Sequence, residues 1–188
     1  MATKVAVPPD IGQILDALDS VSTDVERLFS TCDSNALVRS PVPGGWSASQ
    51  CVAHLAATNF AYVTAMRAAV KPVLHLHNHE RSGPISPGRL TRWFLAHLEP
   101  PARHRVRASR RVSPPSIVQP YASLREFQQS QTAVRDLLLE CRHLDLNHIR
   151  FPNPFIPGLR FTAGAGFLII AAHERRHLWQ AIVATSEV

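Results

Sequence analysis

Two histidines lie four residues apart near the end of the 188-residue chain, in the segment 173–177 with the sequence HERRH. On a helix this spacing places both imidazole rings on one face, where they can bind the same metal ion. The five letters also match the HExxH motif of zinc proteases, in which the glutamate is the general base and a third ligand follows downstream. The extended protease motif has Gly and His where this chain has Gln180 and Val183, so the sequence argues against a protease.

A third ligand can come from an earlier helix, at His54. Small side chains flank His54 on the same predicted helix face and leave space beside its ring: Cys51, Ala57, Thr58 and Ala61. Three neutral imidazoles, from His54, His173 and His177, would hold Zn²⁺ or Ni²⁺ and leave a coordination position open, as catalytic sites do. The alternative for each of these histidines is an ordinary core or surface position.

Two short motifs around these histidines resemble those of a known family. Residues 45–47 are GWS and residues 52–55 are VAHL, while residues 172–180 read AHERRHLWQ. In this order and at this distance, the two motifs resemble the signatures of the DinB/YfiT-like superfamily. Residues 92–94, 98–101 and 153–155 are similar to the connecting segments of one subgroup. The resemblance implies a four-helix bundle in which three histidines bind a divalent metal ion, here His54, His173 and His177.

The same resemblance indicates a class of reaction. Characterised members of the superfamily include thiol S-transferases that use bacillithiol or glutathione, mycothiol-dependent isomerases and proteins described as metal-dependent hydrolases. We therefore expect a metal-dependent transferase or hydrolase with a small-molecule substrate and, for a transferase, a low-molecular-weight thiol as cosubstrate. A metal held by three histidines would lower the pKa of water to about 7 or stabilise a thiolate. The alternative hypothesis is a non-catalytic bundle whose metal site serves stability or a stress response.

Two neighbouring side chains are candidates for supporting roles. Glu174 lies about 100° round the helix from His173, so we expect it to point away from the metal and pair with an arginine rather than act as general base. Gln180 lies one turn beyond His177, where it could orient a ligand or bond to a group behind the metal ligands. An amide on the bundle surface is an equally open interpretation of Gln180.

Four segments with helical periodicity would position these residues. The first helix follows residues 8–10, and the second runs from a capping box at Ser47 to about Val70. The third begins near a second capping box at Ser123, and the fourth follows Gly158 and is capped by Thr162. Four long helices predict an all-α, four-helix bundle, with residues 1–188 as a single domain.

The connection between the second and third helices, residues 71–120, is long and unusual in composition. It holds eight of the fifteen prolines, room for a short helix over 90–98, and otherwise residues that we expect to run extended across the surface. His75, His77 and His79 alternate there, so a strand would place them on one side where a metal could bridge two of them. Solvated loop histidines are the favoured interpretation.

Positive charge is concentrated in the middle of the chain. Residues 34–125 carry twelve Lys or Arg and two acidic residues, although the whole chain has a net charge of only +6. The arginines of residues 103–111 lack the interleaved aromatic residues that stack on single-stranded bases, so nucleic-acid binding is disfavoured. We expect these arginines to attract an anionic substrate.

The composition excludes several other classes of protein. A hydrophobic fraction of 45% with 18% charged residues is typical of a globular protein rather than a disordered one. The longest apolar stretch, residues 161–172, falls short of the ~20 residues of a membrane span, and we expect a cytoplasmic protein. The three cysteines form no CxxC pair, which predicts reduced, mostly buried thiols. Trp179 is expected to pack within the bundle or to contact a second copy in a homodimer.

Overall fold

The computed structural model describes residues 7–42, 44–101 and 108–186 and confirms the predicted four-helix bundle. In chain order the elements are α1 (Pro9–Thr31), α2 (Ser34–Val38), α3 (Ala48–Val70), α4 (Arg89–Leu98), α5 (Pro120–Glu140), β1 (Arg150–Pro152), β2 (Arg160–Thr162) and α6 (Ala163–Ser186). The long helices α1, α3, α5 and α6 form the bundle, and both α1 and α3 pack against α5 and α6. None of the helices in these ranges combines the length and apolar character that a membrane span requires.

Two apolar clusters fill the interior of the bundle. The larger cluster joins the first half of α1 to the second halves of α3 and α5 and includes the buried rings of Phe151 and Phe167. The smaller cluster joins the second half of α1 to the first half of α3 and the second half of α6. Leu55 and Leu178 belong to the smaller cluster, so the histidines that precede them in sequence lie at that end of the bundle.

The N-terminal ends of α3 and α6 have the predicted capping residues. Ser47 Oγ accepts a hydrogen bond from the Gln50 amide at 3.2 Å, and Gln50 Oε1 accepts from the Ser47 amide at 3.0 Å. At the start of α6, Thr162 Oγ1 accepts from the Ala165 amide at 3.2 Å. These side chains satisfy backbone donors that a helix start leaves without partners, so they determine where each helix begins.

The predicted start of α5 near Ser123 is wrong, because the helix begins three residues earlier. Pro120 occupies the first turn, where its restricted φ suits a helix and its missing N–H costs nothing. Ser123 Oγ therefore donates to the Pro120 carbonyl at 2.7 Å inside the helix instead of capping it.

A short β-hairpin between α5 and α6 was not predicted. Its strands have three residues each, too few for an alternating pattern to stand out, yet Phe151 and Phe161 face each other across it and are buried. Gly166 then allows α6 to approach closely, since a Cβ there would lie 2.9 Å from the Phe151 ring and closer still to Met66. The hairpin thus fixes the position of α6 before the helix reaches the histidines.

Candidate metal centre

The three predicted histidines converge in the structure. His54 lies two turns into α3, and His173 and His177 lie on successive turns of α6. One nitrogen from each ring lies within 4.8 Å of the other two. The Nε2 atoms of His54 and His173 are 3.3 Å apart, and the centroids of the His54 and His177 rings are 4.5 Å apart. We call these three residues the histidine cluster.

The orientation of His54 is set by a backbone carbonyl in the connection between α3 and α5. Its Nδ1 lies 2.7 Å from the carbonyl oxygen of Val112, and because a carbonyl can only accept, Nδ1 carries the proton. The Nε2 lone pair is then directed into the histidine cluster. Metal-binding histidines commonly have their second nitrogen anchored in this way. Sequence reasoning missed Val112, since a backbone carbonyl has no side-chain signature.

The other two rings each have a buried nitrogen without a partner. Within the described residues, Nδ1 of His173 and Nδ1 of His177 accept and donate no hydrogen bond. Because His54 Nε2 is an acceptor, His173 Nε2 is the donor in their 3.3 Å contact. Buried polar atoms are usually satisfied, so unpartnered nitrogens in a group of three imidazoles point to a ligand. The residues present therefore fit a divalent metal ion such as Zn²⁺ or Ni²⁺.

Burial favours the neutral form of all three rings. Desolvation lowers the pKa of His54, against a backbone hydrogen bond that raises it. Burial, with smaller effects from His54 and Arg176, lowers the pKa of His173 to about 3. Burial also lowers the pKa of His177 well below its usual value, and the Gln180 side chain one turn away acts in the opposite direction. Imidazole binds metal in its neutral form, so the histidine cluster is ready to coordinate at neutral pH.

Glu174 is buried next to the histidine cluster and bonds to two amides. Asn59 Nδ2 of α3 donates to Oε1 at 2.8 Å, and Gln131 Nε2 of α5 donates to Oε2 at 2.9 Å. Asn59 Nδ2 also donates to Ser130 Oγ at 3.1 Å. Burial raises the pKa of Glu174 to about 7, although both amides lower it. Within the described residues, Glu174 bonds to these amides and not to the arginine that we predicted. We call Glu174, Asn59, Ser130 and Gln131 the Glu174 network.

The two arginines between the histidines hold α4 against α6. Arg175 Nε donates to Glu99 Oε2 at 2.9 Å, and Arg176 Nη1 donates to the carbonyl of His97 at 2.9 Å. Both acceptors lie at the C-terminal end of α4. The motif that supplies two histidines thus also holds α4 against α6.

Trp46 forms an aromatic wall of the histidine cluster. Its ring centroid lies 4.8 Å from that of His54 and 5.9 Å from that of His177, with an angle of 28° between the planes of Trp46 and His177. Because Trp46 directly precedes the Ser47 cap, the start of α3 positions its indole over the first two turns.

The family assignment follows from a match that includes all three histidines. The family model of the DinB superfamily matches residues 17–181. This chain belongs to the DinB superfamily. Among solved structures it is similar to YfiT from Bacillus subtilis, described as "a probable metal-dependent hydrolase with an unusual four-helix bundle topology". The TM-score is 0.59 at 15% sequence identity, over 99% of this chain and 92% of that chain, which shows a shared fold. No curated protein sequence gives a significant match.

In this DinB superfamily member, the alternating histidines of the connection between α3 and α5 do not form a metal site with any described residue. Residues His77–His79 form a 3₁₀ helix, so the alternative of a strand with three histidines on one side does not occur. His75 is exposed, and His77 pairs with Glu80 at 3.0 Å. In the ranges that the structure describes, the histidine cluster alone has the geometry of a metal site. The arginines at positions 103, 105 and 107 lie outside those ranges.

The cysteines of this DinB superfamily protein are not close enough to extend the site. All three are free thiols, and Cys51 and Cys141 are buried while Cys32 is half-buried. Burial raises the pKa of Cys51 and that of Cys141 to about 12. Because the thiolate is the form that binds metal or attacks a substrate, these two buried side chains are inert core residues.

Proposed function

We propose that this protein binds one divalent metal ion, Zn²⁺ or Ni²⁺, through His54, His173 and His177 and is a metal-dependent enzyme acting on a small molecule. Its reaction would be hydrolysis or thiol S-transfer. The observation that carries this proposal is the convergence of three neutral, largely buried imidazoles whose nitrogens lie within 4.8 Å of one another. The description of YfiT as a probable metal-dependent hydrolase supports the hydrolase alternative.

The chain's own residues would hold and shape this centre. Three protein ligands leave coordination positions for a substrate. When bound, a divalent ion acts as a Lewis acid that activates water or stabilises a thiolate. Val112 holds His54 in the ligating tautomer, and Trp46 encloses one side. Both Glu174 oxygens accept from amides, so we assign this carboxylate a structural role and not that of a general base.

The metal site can be tested by measuring bound metal. Untagged protein is loaded with Zn²⁺ or Ni²⁺, dialysed and analysed by elemental mass spectrometry. We expect about one ion per chain in the wild type and loss of this ion in His54→Ala and in His173→Ala, because two ligands hold such ions far more weakly than three. His75→Ala is the matched control, since His75 is exposed and lies outside the cluster. Unchanged metal content in both cluster variants would overturn the proposal.

Turnover then separates an enzyme from a metal-binding bundle. A hydrolase adds water across a substrate bond. A transferase joins the thiol sulfur to an electrophilic carbon, whose bond to the leaving group breaks; the leaving group departs with the bonding electrons and the thiol loses its proton. Loaded protein is assayed on esters and amides in water and on electrophiles with low-molecular-weight thiols, with chelator-treated protein as the control. Products that require the thiol identify a transferase. Full metal loading without turnover on either panel would favour a non-catalytic role.

A further inference from the structure

Two side chains on one face of α3 hold the same stretch of the long connection. Gln50 and His54 are four residues apart, so they lie one above the other on the helix. His54 Nδ1 donates to the carbonyl of Val112 at 2.7 Å, and Gln50 Nε2 donates to the carbonyl of Pro115 at 2.9 Å. The face of α3 that supplies a candidate metal ligand therefore also supplies the anchor for the segment that orients this ligand.

The carbonyl of Val112 belongs to a tight turn. The amides of Val112 and Ser113 both donate to the carbonyl of Ser109, at 3.1 and 3.0 Å, and Ser113 Oγ donates to the same oxygen at 3.1 Å. The Val112 side chain is only 5% exposed. Residues 109–113 therefore form one hydrogen-bonded turn, and the contacts of Gln50 hold the chain immediately after this turn.

The oxygen and the nitrogen of the Gln50 side-chain amide have different hydrogen-bond partners. Oε1 accepts from the Ser47 amide at 3.0 Å and completes the capping box of α3. Nε2 points to the connection, where it donates to Pro115 and makes a longer contact of 3.4 Å with the Ser116 carbonyl. A substitution can therefore remove the anchor and retain the cap.

We propose that Gln50 is a positioning residue for the metal ligand His54, acting through the turn that presents the Val112 carbonyl. This inference rests on the proposed function, because it assigns His54 to a metal ion. Without the Nε2 donor of Gln50, the Val112 carbonyl is no longer held against His54. The imidazole can then adopt its other tautomer, in which Nε2 carries the proton and has no lone pair for a metal. Partners that orient metal-binding histidines contribute about ten- to a hundredfold to affinity, and for the indirect action of Gln50 we expect about tenfold.

Zinc affinity, measured by competition with a chromophoric chelator, tests this role in three variants. Gln50→Glu keeps an oxygen that accepts from Ser47 but loses the donor to Pro115, and Gln50→Ala loses that donor without adding a charge. Ser47→Ala is the matched control, since it removes a capping bond and leaves the Gln50 donor in place. We expect about tenfold weaker binding in both Gln50 variants and a change of less than about twofold in Ser47→Ala. Wild-type affinity in both Gln50 variants, or an equal loss in Ser47→Ala, would overturn the inference.

The tautomer of His54 provides a readout that does not depend on metal. In ¹⁵N NMR spectra of the metal-free protein, we expect protonation at Nδ1 of His54 in the wild type and a mixture of tautomers in Gln50→Glu, with the resonances assigned by comparison with His54→Ala. Protonation at Nε2 in the wild type, or an unchanged spectrum in Gln50→Glu, would contradict the inference. A wild-type protein that binds neither Zn²⁺ nor Ni²⁺ would overturn the proposed function instead, and the tautomer comparison would still decide whether Gln50 positions His54.

Discussion

The histidine cluster and the Glu174 network are neighbouring buried polar groups, but their titratable side chains are bonded differently. In the Glu174 network, both carboxylate oxygens accept hydrogen bonds from amides of α3 and α5. In the histidine cluster, His173 and His177 each keep a buried nitrogen that has no partner within the described residues. The protein itself satisfies the carboxylate of the first group, whereas the second group has nitrogens available for a ligand.

This difference follows from the register of α6. Successive residues of a helix point about 100° apart, so His173 and Glu174 face different neighbours although they are adjacent in sequence. His173 faces His54 of α3, and Glu174 lies between Asn59 of α3 and Gln131 of α5. Both oxygens of the buried Glu174 carboxylate are bonded, although the amide oxygens of Asn59 and Gln131 have no partner within the described residues. Unpartnered nitrogens in a group of three buried imidazoles, by contrast, indicate a ligand site. These two adjacent residues of the motif therefore differ in role: His173 is a candidate metal ligand, and Glu174 links α6 to α3 and α5.

The largest expected effect is a loss in the free energy of unfolding, which should be greater for a substitution in the Glu174 network than for one in the histidine cluster. Glu174→Ala leaves the Asn59 and Gln131 amides without their shared acceptor in the core, and we expect the free energy of unfolding to fall by about 3 kcal/mol. His173→Ala in the metal-free protein removes a ring with an unpartnered nitrogen, and we expect a loss of about 1 kcal/mol or less. Urea unfolding of both variants without metal provides the comparison. Equal losses would show that the two groups do not differ in their structural role.

Stabilisation by bound metal should depend on the histidine cluster and not on the Glu174 network. A ligand that binds only the folded state at about a hundred times its dissociation constant stabilises the protein by about 2.7 kcal/mol. We expect this increase in the wild type and in Glu174→Gln, which retains the shape of the side chain. We expect none in His173→Ala. Thermal unfolding with and without zinc measures the effect, and a zinc-dependent shift in His173→Ala would place the ion elsewhere.

Acidification should affect the two groups with opposite signs. The folded-state pKa of His177 lies below its unfolded value of 6.5, so its contribution to stability is present above that pH and is lost as the pH falls. The folded-state pKa of Glu174, about 7, lies above its unfolded value of 4.5, so its contribution increases as the pH falls through 7.

Paired variants test these signs in metal-free protein. Between about pH 7.5 and 5.5, we expect Glu174→Gln to lose about 2 kcal/mol more stability than the wild type, because it no longer takes up a proton on folding. We expect His177→Gln to lose about 1.4 kcal/mol less than the wild type over the same range. Urea unfolding at both pH values measures the differences, and shifts of the same sign in both variants would contradict the assignment.

The sequence predicted those parts of the fold and of the candidate site that depend on local patterns. The spacing of His173 and His177, the capping box at Ser47 and the cap at Thr162 are all short-range signals, and the structure contains each of these local arrangements. The convergence of His54 with the pair on α6 was inferred from the family resemblance and from the small residues beside His54. That inference succeeded because a four-helix bundle allows few arrangements of its long helices.

The partners of these side chains could not be predicted, because they come from distant parts of the chain. The carbonyl that orients His54 lies 58 positions away, at Val112, and the amides that bond Glu174 come from Asn59 and Gln131. Sequence reasoning expected an arginine beside Glu174, since its position about 100° round the helix from His173 directs it away from the metal. Two neutral amides are sufficient here because burial also raises the pKa of Glu174 toward neutrality.

The smallest expected effect is spectroscopic and refines the position of the metal relative to the two groups. Trp46 lies against His54 and His177, whereas Trp93 is 58% exposed and stacks on His97 of α4. Ni²⁺ in the histidine cluster should therefore quench the fluorescence of Trp46, and diamagnetic Zn²⁺ should quench it much less. We expect Trp46→Phe to remove most of the Ni²⁺-dependent quenching and Trp93→Phe, the matched control, to leave it unchanged. Quenching that persists in Trp46→Phe and disappears in Trp93→Phe would place the ion near α4, and the unpartnered nitrogens of the histidine cluster would then need another explanation.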